Sequence, residues 1–287
     1  MTIAAPYLTV VQTGPLTTVQ DAGRFGQGAL GIGRSGACDR AAYRLANRLV
    51  GNHDGAAVLE VTFGGLVLRA HADVVLVLTG ARCEGTPHNA PLILAAGEQL
   101  VLGAPVTGVR TYVAVRGGVD VPSVLGSRST DLLAGLGPDV LAAGDPLPVG
   151  CSVGQMPGVD VAAVPEPEAG EVVVQVQSGP RRDWFTDDAW ASLLNQRYTV
   201  TAQSNRVGLR LDGVPLERAR IGELPSEGMV RGALQIPPSG TPVLFLADHP
   251  TTGGYPVIGY VVDDDVDRCG QLRTGQTLRF TTRRLRL

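Results

Sequence analysis

The chain has 287 residues, 44% of them hydrophobic, and its 24 basic and 27 acidic residues leave a net charge of −3. That balance offers no basic face for a phosphate backbone, so nucleic acid is excluded as a partner, the short tail Arg283-Arg284-Leu285-Arg286 notwithstanding. All 24 basic residues are arginine, and the absence of lysine excludes a Walker-type phosphate lysine, a Schiff-base lysine and attached biotin on this chain.

The four cysteines (Cys38, Cys83, Cys151, Cys269) form no C-x-x-C pair, and the four histidines (His53, His71, His88, His249) show no ligand spacing, so no metal site is expected. The N-terminus MTIAAPYLTV lacks a basic leader and reads as the start of a strand, and no apolar run reaches membrane-spanning length. A cytoplasmic protein with free thiols and no membrane partner is the expectation.

In chain order, Thr9-Val10-Val11 opens a strand, Thr13-Gly14-Pro15 turns it, Leu16 to Gln20 forms the next, and Asp21-Ala22-Gly23-Arg24 begins a glycine-rich loop. The clearest helix follows Ser35-Gly36-Ala37-Cys38-Asp39. Ser35 or Asp39 serves as its cap, Ala42, Leu45, Ala46 and Leu49 recur at helical spacing, and Gly51 ends it. From Ala57 to Gly118 short apolar runs alternate with turns: 58–62, 66–68, 74–78, 92–94, 99–102 and 111–115. Such spacing argues for a barrel or sandwich and against a parallel α/β sheet. The polar run Ser127-Arg128-Ser129-Thr130-Asp131 reads as a surface loop or an anion-binding corner.

Strand periodicity lapses in PGVDVAAVPEPEAG (157–170), a linker by composition. Two domains are expected, 1–160 and 161–287. The second opens with a strand at 171–176 and a short helix at 187–195 capped by Thr186, then a strand at 198–200. Asn205-Arg206-Val207-Gly208-Leu209-Arg210 places two arginines about a glycine, either a solvated strand face or a carboxylate clamp. Val243 to Ala247 has the length of a buried strand from which Asp248 emerges. The loop Thr251-Thr252-Gly253-Gly254-Tyr255-Pro256 follows, and its glycine amides and threonine hydroxyls suit an anion as well as a hairpin turn. A last strand covers 277–280.

Five motifs in order, GPLTTVQDAGRFG, SGACDRAAYRLANRLVGN, SNRVGLRLDG, SEGMVRGALQIPPSG and ADHPTTGGYPVIG, closely resemble the family of allophanate hydrolase subunit 2-like proteins. That family includes the third subunit of bacterial ATP-dependent 5-oxoprolinase, a kinase-inhibitor antagonist and part of the carboxyltransferase domain of urea carboxylase. The resemblance runs from about Leu16 to Phe280. It implies a mainly β fold of two cyclophilin-like β-barrel domains with a few short helices. It also implies an allophanate hydrolase subunit 1-like partner and, in the oxoprolinase, a larger subunit of lactam-utilisation type. The signature positions it carries over are Gln20, Asp21, Arg24, Ser35, Gly36, Asp39, Asn205, Arg206, Gly208, Arg210, Ser226, Glu227, Gly228, Gln235, Pro237, Asp248 and Thr251 to Pro256. Cys38, Ala22 and His249-Pro250 depart from the family pattern.

The reaction implied is the opening of 5-oxo-L-proline to L-glutamate, driven by ATP. Such a site needs cationic donors, oxyanion donors and a carboxylate that moves a proton. Asp248, Glu227 and Arg206 are the expected catalytic residues. Arg210, Thr251, Thr252, Gly253, Gly254, Tyr255, Ser35, Asp39 and Gln20 are the expected substrate contacts. No nucleotide motif is visible, so ATP is expected to be held with or by a partner subunit, and the chain alone to be inactive. Two other readings stay open: a carboxyltransferase subunit acting on urea-derived amides with a biotin carrier, and a non-enzymatic regulator that binds a kinase-inhibiting protein.

Overall fold

A computed structural model describes residues 7–151, 154–222 and 224–282; the arginine tail and the first six residues lie outside the described residues. The chain divides into two compact units. The first comprises Met1–Phe25, Ser35–Asp131 and Gly135–Pro167, and the second Gly26–Arg34, Leu132–Ala134 and Glu168–Leu287, so neither is a contiguous stretch of sequence.

In the first unit, β1 (Tyr7–Thr13), β4 (Leu66–Ala70), β7 (Gln99–Val101) and β9 (Pro146–Pro148) form a four-stranded sheet in the order β7-β4-β1-β9. A five-stranded sheet in the order β2-β3-β8-β5-β6 is built from β2 (Leu16–Gln20), β3 (Val58–Thr62), β5 (Val74–Gly80), β6 (Pro91–Leu94) and β8 (Arg110–Val115). All the pairings are antiparallel. Leu8, Val10, Leu66, Leu68 and Leu100 of one sheet share a core with Leu59, Val61, Leu76, Leu78 and Val113 of the other.

Strand β8 is buried at every position. The reason lies in its two faces. Val113 and Val115 enter the core between the sheets, whereas Tyr112 and Ala114 meet helix α1 (Arg40–Leu49) through Tyr43, Ala46 and Leu49. A sheet covered on both faces reads as an unbroken apolar run instead of alternating. Helix α1 starts where expected: the Asp39 carboxylate accepts from the Ala42 amide at 2.9 Å, the usual capping bond.

The second unit is a closed barrel in the order β10-β17-β14-β15-β12-β11-β18. Its strands are β10 (Val172–Ser178), β11 (Tyr198–Val200), β12 (Gly208–Asp212), β14 (Ala233–Gln235), β15 (Val243–Phe245), β17 (Val257–Val261) and β18 (Thr277–Thr281). Closure depends on β10, whose first half pairs parallel with β18 and whose second half pairs antiparallel with β17. Along β10, Val172, Val174 and Val176 alternate inward, as period-2 geometry requires of a strand with one buried face. Phe280 meets Tyr198 edge to face at 5.5 Å inside the barrel.

Helix α2 (Asp187–Asn195) is capped by the Thr186 hydroxyl, which accepts from the Ala189 amide at 3.0 Å. A third helix, α3 (Asp263–Cys269), has no counterpart in the sequence reading. Its first turn is Asp263-Asp264-Asp265, a run that favours the positive end of a helix dipole. A two-stranded ribbon, β13 (Glu227–Gly228) with β16 (Thr252–Gly253), completes the unit. The mainly β expectation therefore holds.

Candidate functional site

The signature residues of the first unit gather around the loop after β2. Asp21 is buried, and its Oδ1 accepts from the Gly23 amide at 2.8 Å, the Ser127 hydroxyl at 2.7 Å and the Ser129 hydroxyl at 2.6 Å. Its Oδ2 accepts from the Arg128 amide at 2.6 Å. The polar run 127–131 thus closes on an anion belonging to the chain itself. Gln20 donates through Nε2 to the Thr130 carbonyl at 2.9 Å. Arg24, 1% exposed, donates through Nη2 to the Ser129 carbonyl.

Ser35 and Gly36 have φ of 54° and 91°. A side chain at Gly36 would place its Cβ 3.0 Å from both the Asp21 carbonyl and the Gly23 amide, so only glycine lets the two loops meet. The Ala37 amide seals that contact on the Asp21 carbonyl at 3.1 Å. Beneath, the buried Glu60 carboxylate accepts from the Cys38 amide at 2.9 Å and the Tyr112 hydroxyl at 2.8 Å, and it lies 3.3 Å from Arg110 Nε. The Asp39 amide donates to the same Tyr112 oxygen at 2.7 Å. Burial, reinforced by Glu60 and Asp39, pushes the Tyr112 phenol well above its ordinary pKa, so it stays protonated and donates to Glu60.

In the second unit, Arg206 grips Asp248 in a fork: Nε to Oδ2 at 2.9 Å and Nη2 to Oδ1 at 3.0 Å, with both side chains buried. Asp248 Oδ2 also accepts from the Leu132 amide at 3.2 Å, and its own amide donates to the Arg206 carbonyl at 3.0 Å. Arg210 does not join this pair. It stands on β12 with its side chain exposed, at one side of an open cleft of about 320 Å³ that also includes Gln203, Asp212 and Thr241. The two-arginine clamp is therefore not assembled: one guanidinium is committed to a carboxylate, and the other faces solvent.

The loop Thr251 to Pro256 also differs from a glycine nest. Neither Gly253 nor Gly254 has positive φ; Gly253 pairs with Glu227 and Thr252 with Gly228 in the short ribbon. Glycine at 253 lets side chains pack closely against the ribbon: a Cβ there would fall 2.6 Å from Gln235 Nε2 and 3.2 Å from Met229 Cγ. Gln235 Nε2 holds the Tyr255 carbonyl at 3.2 Å, and the Thr251 hydroxyl donates to the Gly31 carbonyl at 3.3 Å. Thr252 and Tyr255 are exposed. Glu227 forms a two-point ion pair with Arg181, Nε to Oε2 at 3.0 Å, and both groups are partly open to solvent. The ribbon thus pairs Glu227 with Gly253 and sets it next to the Gly228–Thr252 pair, while Tyr255 follows just past the strand.

Three participants escaped the sequence reading: Glu60, Tyr112 and Arg181. Glu60 left a signal, a lone carboxylate inside the apolar run VLEVT, where burial demands partners. Among the described residues no group of three or more His, Cys, Asp or Glu side chains could hold a metal ion, and no helix is long and apolar enough to cross a membrane.

Residues 30–282 match the family described as "Carboxyltransferase domain, subdomain A and B". The chain is 38% identical over 282 residues to the C subunit of 5-oxoprolinase from Escherichia coli (strain K12), covering 95% of this chain and 90% of that one. It is 33% identical over 272 residues to the corresponding 5-oxoprolinase protein of Haemophilus influenzae, covering 92% and 87%. The crystal structure of the Kluyveromyces lactis urea carboxylase superposes with a TM-score of 0.88 at 29% identity, over 97% of this chain and 27% of that much longer one. With the family match spanning both units, the chain belongs to the carboxyltransferase domain family, subdomains A and B.

Proposed function

We propose that this chain is one component of an ATP-dependent 5-oxoprolinase complex that opens 5-oxo-L-proline to L-glutamate. The observation that carries the reading is the 38% identity to a 5-oxoprolinase component over nearly the full length of both chains. A lactam carbonyl is deactivated by resonance with its nitrogen. Transfer of the γ-phosphoryl group of ATP to the carbonyl oxygen makes that carbon electrophilic; water adds, the ring C–N bond breaks as nitrogen takes up a proton, and a second water hydrolyses the resulting acyl phosphate to glutamate and phosphate. The net change consumes ATP and two waters and yields glutamate, ADP and phosphate. In this reading the complex is completed by an allophanate hydrolase subunit 1-like partner and a larger protein of lactam-utilisation type, and ATP is held with or by a partner.

Roles for this chain's residues follow from their surroundings. Glu227, paired with the partly open Arg181, is the carboxylate best placed to exchange a proton with a ligand, while Thr252, Tyr255 and the exposed Arg210 are substrate contacts. Arg206 and Asp248, locked together in the interior, act as positioning residues for the barrel edge. Gln20, Ser35 and Asp39 shape the first-unit loops. The test is 5-oxoproline-dependent ADP release and glutamate formation by the complex reconstituted with both partner proteins. Glu227→Gln is expected to lower kcat by about a hundredfold or more, as loss of a proton-transferring group does. Wild-type turnover in that variant would remove Glu227 from the chemistry, and absence of glutamate formation in the wild-type complex would remove the reaction itself.

The likeness to the urea carboxylase structure favours one second reading, carboxyl transfer to a urea-type amide. That reaction requires a biotin-bearing partner, because this chain has no lysine to carry biotin. Glutamate formation in the presence of excess avidin separates the two.

A further inference from the structure

Arg24 is a charged signature residue whose chemistry the proposed reaction does not use. Its guanidinium is 1% exposed, Nη2 donates to the Ser129 carbonyl, and Nε and Nη1 have no hydrogen-bond partner. No carboxylate among the described residues pairs with it. Asp21 is close in sequence, but its two oxygens are already taken by two hydroxyls and two backbone amides. A buried cation with open donors is strongly disfavoured unless an anion meets it.

Two further open groups belong to the same hydrogen-bonded segment. Gln20 Oε1 and Thr130 Oγ1 are buried without partners, although Gln20 Nε2 is bonded to the Thr130 carbonyl. Arg24 and Gln20 therefore hold successive carbonyls, Ser129 and Thr130, of one short segment. Gly137, at φ 89°, packs its backbone against the Arg24–Ser129 contact: a Cβ there would fall 2.5 Å from Arg24 Nη2 and 2.1 Å from the Ser129 carbonyl oxygen, so only glycine leaves the arginine in place. The open groups differ in kind: the arginine offers N–H donors, the glutamine an acceptor, and the threonine either.

We propose that Arg24, Gln20 and Thr130 form an internal site for a small carboxylate or carbonate-type anion that itself carries an N–H or O–H donor. The oxyanion faces Arg24, and the donor satisfies Gln20 Oε1. Two sources share this chemistry: hydrogencarbonate, through its O–H, and a lactam carboxylate, through its ring N–H. A plain carboxylate lacks the donor and leaves Gln20 open. The site does not depend on the 5-oxoprolinase reading, because binding to the isolated chain is measured without turnover.

The experiment is calorimetric titration of the full chain with hydrogencarbonate, 5-oxo-L-proline and acetate. At least one of the first two should bind saturably, and acetate about tenfold or more weakly, the factor expected for one buried acceptor left unsatisfied. Which of the two binds identifies the source. Gln20→Leu should bring the donor-bearing ligand down to the acetate level, and Arg24→Gln should abolish binding. Thr130→Val and Gln20→Leu keep the buried charge in place, so they decide the matter if Arg24→Gln does not fold. Absence of binding by all three anions at millimolar concentration overturns the proposal. So does wild-type affinity in Arg24→Gln or, where that variant does not fold, in both Gln20→Leu and Thr130→Val.

Discussion

The two units each bury an aspartate and an arginine from their signature motifs, and they treat the charges in opposite ways. In the second unit Arg206 and Asp248 neutralise one another in a forked ion pair. In the first, Asp21 is held by neutral hydroxyl and amide donors while Arg24 keeps two open donors. A charge satisfied inside its own chain is accounted for; one left with open donors calls for a partner from elsewhere. Residue type alone paired Arg206 and Arg210 as one clamp. The fork to Asp248 occupies Arg206, while Arg210 stands exposed on its strand.

The largest expected effect breaks the closed pair. Asp248→Ala removes the carboxylate that the buried Arg206 grips in a fork, and should cost about 3–5 kcal/mol of stability in urea denaturation. Replacing both residues by leucine should cost clearly less than the sum of the single changes, because the second substitution removes the charge that the first exposed. If the double variant lost the full sum, the two side chains would be acting independently, and the contrast between the units would fail.

The next effect is smaller because no formal counter-charge is involved. Asp21→Asn turns one acceptor oxygen into an NH2 group facing hydroxyls and amides that all donate to the carboxylate. Unfavourable meetings of this kind cost about 1–3 kcal/mol for a buried group. The hydroxyls can rotate and accept instead, whereas the Arg128 and Gly23 amides cannot. Asp21→Asn should therefore lose less than Asp248→Ala when both are measured by urea midpoint under the same conditions. A larger loss at Asp21 would mean that its carboxylate also balances the charge of Arg24.

Elements governed by local rules were legible in the sequence. Thr186 and Asp39 cap their helices as their position before an amphipathic run predicts, and β2, β3 and β11 cover the residues that alternation and turn signals mark. What stayed hidden depends on pairing at a distance. The Thr252–Gly253 strand is two residues long, too short for any periodicity, and its partner lies at Glu227–Gly228. Its glycines therefore read as a nest, although Gly253 is there to admit Gln235 and Met229. Arg206 and Arg210 look equivalent about Gly208, yet β12 begins only at Gly208; Arg206 lies before the strand and turns inward, and Arg210 lies on its outer face. Helix α3 is only seven residues long, too short for a clear apolar stripe, although its three leading aspartates suit a helix N-terminus.

The smallest effect is a pH dependence from a histidine in the first unit. His88 is half-buried beside the Arg82–Glu166 ion pair, and its pKa lies below the usual 6.5 because burial, aided by Arg82 and opposed by Glu166, disfavours the imidazolium. The unfolded chain therefore binds a proton at His88 more readily than the folded one. By linkage, the His88 contribution is flat above pH 6.5 and is lost as pH falls through 6.5 toward the folded-state value. His88→Gln should flatten the melting temperature across this window relative to wild type and leave values above neutrality nearly unchanged. Glu166→Gln removes the one neighbour that favours the charged ring, so it should steepen the acid loss. A shallower slope in Glu166→Gln would mean that the Arg82–Glu166 pair itself, and not His88, sets the acid limit of this unit.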